Sequence, residues 1–172
     1  MAFKGIFKTH NLYLAFAGIL SAAMIFAPLA YASNYESLSH VTIYGAWLSI
    51  DYPLVEGSKA VEYRYLLQLP LNICYVLVSG VLAGGLGFLA IYNRDLSKKR
   101  KWLWWASGLA VLQVIFAVLI RIFASVFLDD IESIDNMQVG FMREVLFHLF
   151  IIYFLFRASI RLKRVELNLA EE

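Results

Sequence analysis

A single cysteine, three prolines and three histidines in 172 residues exclude much of the chemistry a chain of this size can hold. Cys74 alone cannot form an internal disulfide, a CxxC redox pair or a thiolate metal site, and inside an apolar run it reads as a small buried hydrophobe. His10, His40 and His148 fall on a basic flank, a polar link and an apolar run, so they are not expected to gather around one ion or supply axial pairs to a haem. No GxSxG, HExxH, P-loop or dinucleotide fingerprint occurs, so the sequence points to a protein that is not an enzyme and carries no cofactor or metal of its own. Pro28 and Pro70 stand near the ends of apolar runs, and no inverted repeat is visible, which argues against a transporter built on broken helices.

Charge is also scarce. Only 16% of the residues are charged and 61% are hydrophobic, more apolar material than one soluble core requires, so the chain is read as an integral membrane protein. Its net charge of +2 gives no nucleic-acid signal, because the cations are distributed among links and not gathered on one face. Four apolar runs, 12–32, 66–92, 102–128 and 140–160, are each near or above the roughly 20 residues that cross a bilayer as helix. The expected fold is an all-α, four-transmembrane-helix antiparallel bundle in a single membrane domain spanning 1–172, with a small external β-hairpin between helices one and two. Basic residues before the first run, and Ala30-Tyr31-Ala32 at its end, imitate a secretory signal. The run is longer than the roughly 7 to 15 residues of a signal core, so it is read as a retained helix.

The cations set an orientation. Lys4 and Lys8 precede the first run, Arg94, Lys98, Lys99, Arg100 and Lys101 fill the second link, and Arg157, Arg161, Lys163 and Arg164 follow the fourth run. The positive-inside rule then places both termini in the cytoplasm and the segments 33–65 and 129–139 outside. Trp102, Trp104 and Trp105 fall at the inner interface, and Tyr31, Tyr35, Tyr44, Tyr52, Tyr63 and Tyr65 at the outer one.

Small residues indicate close helix approach: Gly18 and Ala22 in the first run, with Ser79, Gly80, Ala83, Gly84 and Gly87 in the second, have small-xxx-small spacing. The fourth run is bulky and aromatic from Val145 to Phe156, a surface suited to lipid or to a grooved partner. Between the first two runs, 40–50 is rich in β-branched and aromatic residues, Tyr52-Pro53 to Gly57-Ser58 supplies turn chemistry, and 61–65 is expected to return as the second strand. The link at 129–136 is acidic and lacks the spacing of a calcium loop.

Arg121 is the one basic residue inside the first three runs. Counted from Trp102 it lies about 28 Å up the helix, near the outer edge of the apolar layer, where it can snorkel to headgroups. Glu144 and His148 are one turn apart on the fourth run, and Gln68 and Asn72 one turn apart on the second. If these faces converge with the face of Gln113, Ala117 and Arg121, the outer half of the bundle holds a polar pocket. Arg121, Glu144, His148, Asn72 and Gln68 are its candidate ligand-binding residues, suited to a quinone head, a lipid phosphate or a proton. A buried network that fixes helix register is the structural reading of the same residues.

The layout, with a long strand-bearing loop after the first helix, Gly45-Ala46-Trp47 within it, and a short second external link, resembles that of claudins and related tetraspan proteins. The paired loop cysteines of that family are absent. The resemblance implies shared architecture and carries no function. The function expected from the sequence is a non-catalytic accessory or scaffold subunit of a larger membrane protein complex, or a homo-oligomer, contacting its partners through helix four and the external loop. The alternative is a quinone- or lipid-binding membrane protein using the polar pocket.

Overall fold

The computed structural model describes residues 9–33, 40–53, 59–65, 70–91, 95–129, 138–141 and 146–170. Its helices are α1 (Thr9–Ala23), α2 (Pro70–Ile91), α3 (Leu96–Asp129) and α4 (Phe147–Ala170), and its strands are β1 (Pro28–Ser33), β2 (His40–Tyr44), β3 (Trp47–Pro53), β4 (Lys59–Tyr65) and β5 (Gln138–Phe141). The chain divides into two compact units, one of 1–23, 78–113 and 146–172, the other of 24–77 and 114–145.

Two helices are long and apolar enough to cross a membrane, Pro70–Ile91 and Leu96–Ala124. The four-span bundle expected from the sequence is therefore corrected. The first run, 12–32, is not one helix: α1 ends at Ala23 after 15 residues, and 28–33 is strand. Pro28 lacks an amide proton and disfavours helical geometry at the residue before it, which suits a helix stop followed by strand. The fourth run, 140–160, is likewise split, its start being strand β5 and its helix beginning at Phe147. That helix continues to Ala170 and carries Arg157, Arg161, Lys163, Arg164 and Glu166, too many charges for a span. The third run begins earlier than 102 because Asp95 caps α3, its Oδ1 accepting from the amides of Ser97 (3.0 Å) and Lys98 (3.2 Å).

The expected single hairpin is corrected to a five-stranded antiparallel sheet in the order β4-β3-β2-β1-β5. The segment 40–50 is not one strand, because the chain turns at Gly45-Ala46 and β2 pairs with β3, Val41 opposite Ile50 and Ile43 opposite Leu48. These four side chains are buried with Ala30 and Ala32 of β1, each pair two residues apart, and Leu29 joins them where the β1–β2 register shifts. Tyr75 of α2 and Ala117, Ile120 and Ala124 of α3 complete this core of the second unit.

The core of the first unit rests on helical stripes. α1 buries His10, Asn11, Leu14, Ala17, Gly18 and Ser21, and α4 buries His148, Ile151, Leu155, Ala158 and Leu162, each set recurring at three- and four-residue spacing. The two helices pack together, and Phe154 takes Tyr13 and Phe16 against its ring at 6.2 Å and 5.9 Å. Gly18 meets α2 closely: a Cβ there would lie 3.2 Å from the Ala83 carbonyl oxygen and 3.4 Å from Leu86 Cβ. Gly80 and Gly84, with the expected motif spacing, meet nothing within 4 Å. Small residues thus serve the α1–α2 approach on both sides, Gly18 against Ala83 and Gly87, while Gly80 and Gly84 of α2 lie on an open face.

Candidate functional site

Of the five candidate residues, Gln68 and Glu144 lie outside the described residues. Asn72 and Arg121 belong to the second unit and His148 to the first. Asn72 is fully buried, and its Nδ2 donates to the Gly45 carbonyl at 2.9 Å. One turn along α2, the Tyr75 hydroxyl donates to the Met24 carbonyl at 2.9 Å. These two side chains fasten the β2–β3 turn and the exit of α1, so the amide donor of Asn72 is committed to backbone. Arg121 is half-buried, on the shoulder of the stripe formed by Gln113, Ala117, Ile120 and Ala124. His148 is buried at the start of α4.

A polar cluster that sequence reasoning did not assemble joins three helices in the first unit. Gln113 Nε2 donates to Ser79 Oγ at 2.8 Å. Ser21 Oγ stands 3.2 Å from the Ser79 carbonyl oxygen and 3.4 Å from Gln113 Oε1, so its single proton is shared between two acceptors. All three residues are fully buried. In apolar surroundings such a cluster fixes which helix faces meet, because each group would otherwise lose its partner. The signal available in the sequence was one polar residue among several in the apolar runs, Ser21, Ser79 and Gln113, and small serines pass equally well as packing residues. A second buried contact, Lys99 Nζ donating to Asn11 Oδ1 at 2.7 Å, removes one of the link cations from solvent.

The remaining surface of the first unit is strongly apolar. Leu146, just before α4, and Phe147, Leu149, Phe150, Tyr153 and Phe156 within it are between 45% and 62% exposed. On α3, Trp104 is 79% exposed beside Trp102 and Trp105. Among the described residues, no group of three or more His, Cys, Asp and Glu side chains could hold a metal ion. No protein-family model matches the chain, and no curated protein does.

Proposed function

We propose that the protein is a non-catalytic, membrane-associated subunit that docks on other membrane subunits through the exposed face of α4 and the strand-bearing segment 33–65. The observation that carries this reading is the row of large apolar side chains on α4 left uncovered on a helix whose charge keeps it from qualifying as a span. An exposed aromatic face of this extent calls for lipid or a grooved partner, and aromatic side chains favour protein contact through large, rigid area. The same reading puts the basic start of α3, Lys98 to Lys101, on the cytoplasmic side, and the strand-bearing segment 33–65, which lies before the candidate span Pro70–Ile91, on the other.

A photo-reactive residue at Phe150 or Phe156, in protein expressed at native level, tests the docking face. One discrete membrane-protein adduct is expected from both positions and none from Leu103, which is buried. Recovery of an uncrosslinked monomer in mild detergent would overturn the proposal. Single cysteines at Ser97 and Ser58, on a Cys74→Ser background, test the orientation: an impermeant maleimide should label the second only.

A further inference from the structure

The basic end of the first unit contains a cavity of about 430 Å³ lined by Thr9 and His10 of α1 and by Arg161, Arg164, Val165 and Asn168 of α4. Its α4 residues, Arg161, the adjacent Arg164 and Val165, and Asn168, recur a turn apart, so they form a single stripe. Among the described residues, no carboxylate lines it. Neither Arg161 nor Arg164 has a salt-bridge partner among the described residues, whereas the neighbouring Glu166 carboxylate is engaged by Arg100 at 3.0 Å. Arg157, one turn earlier, is held over the Tyr13 ring at 6.0 Å. The cavity therefore concentrates two guanidinium groups that have no carboxylate partner among the described residues, with an imidazole, a hydroxyl and a carboxamide.

We propose that this cavity binds a phosphate ester. Two guanidinium forks three residues apart match the oxygens of a phosphate group in the way a lysine ammonium does not, since each fork can present two parallel N–H donors. Thr9 and Asn168 add neutral donors. The volume falls within the range of small-molecule sites and leaves room for an organic substituent on the phosphate. On a membrane-associated chain, one source is an anionic lipid headgroup, because basic pockets between helices at the cytoplasmic surface are suited to such headgroups. A water-soluble phosphate ester is the other.

The test uses the full-length protein in nanodiscs of phosphatidylcholine containing phosphatidic acid, with lipid retention read by native mass spectrometry. Phosphatidic acid should be retained in preference to phosphatidylcholine, and R161Q/R164Q should lower that preference about tenfold or more, as loss of charge-assisted contacts implies. Lys163→Gln, on the same helix but outside the cavity, should leave it unchanged. Thermal unfolding of each variant checks that the fold is retained; the single variants Arg161→Gln and His10→Ala provide independent readouts. Displacement of the lipid by glycerol 3-phosphate would assign the site to soluble esters, and retention against it would assign it to lipid. Equal retention by wild type, R161Q/R164Q and Lys163→Gln, or absence of binding by both probes, would overturn the proposal.

Discussion

The ring of Tyr75 occupies the space that any side chain at Gly45 would need: a Cβ there would meet Tyr75 Cε1 at 2.7 Å and Cδ1 at 2.8 Å. The glycine is required by this approach, and the approach allows Asn72 and Tyr75 to reach backbone carbonyls on either side of the core. Trp47 and Tyr44, whose rings stack at 4.8 Å, flank the same turn.

Gly45→Ala is accordingly expected to destabilise the protein by about 1–3 kcal/mol through overpacking. In a Tyr75→Ala background the same change should cost much less, because the ring that opposes it is gone. A double-mutant cycle on unfolding in detergent measures the difference. Additive costs would show that the two residues do not compete for that space.

Removing the Ser79–Gln113 hydrogen bond should have a modest effect. Ser79→Ala and Gln113→Leu are expected to show a coupling of about 0.6 kcal/mol, the usual scale for interhelical hydrogen bonds in membranes. Guanidinium-free unfolding by a denaturing detergent gives the four stabilities of the cycle. A coupling of zero would mean the contact contributes specificity alone.

The sequence made the two long apolar helices legible, and also the strand character of 40–65, because β-branched and aromatic residues cluster there. It concealed β1 and β5. A run such as Pro28-Leu29-Ala30-Tyr31-Ala32 is apolar enough to extend a helix, and hydropathy alone does not separate a strand in a sheet from a helical turn in lipid. The partners of these strands lie far off in sequence, Ala32 opposite Val139 for example, so no local pattern records the pairing. Among the site residues, Asn72 was legible as a buried polar group, whereas its partner is a backbone carbonyl that no side-chain inventory contains. Ser21 was passed over for the same reason that makes it effective: it is small.

Trp104 should contact acyl chains. With Trp47, Trp102 and Trp105 replaced by Phe, its fluorescence in vesicles is expected to be quenched strongly by brominated lipid and weakly by aqueous iodide, as an interfacial tryptophan requires. Iodide quenching as full as that of free tryptophan would remove this helix from the membrane surface.

The Arg100–Glu166 pair should contribute little to stability. Its side chains are 63% and 24% exposed, and exposed pairs are screened, so Arg100→Gln is expected to shift unfolding by less than about 0.5 kcal/mol and to abolish whatever salt dependence the pair has. Unfolding at low and high ionic strength provides the check.

Ser21 precedes Ser79 by 58 residues and Gln113 by 92, which gives the buried cluster a place in the protein's biosynthesis. The first helix leaves the ribosome with a hydroxyl whose partners have not yet been translated, and its seat is completed only when α3 arrives. A nascent chain arrested before residue 113 would hold that helix without the Gln113 contact that completes the cluster. The order of translation thus sets a window before internal closure.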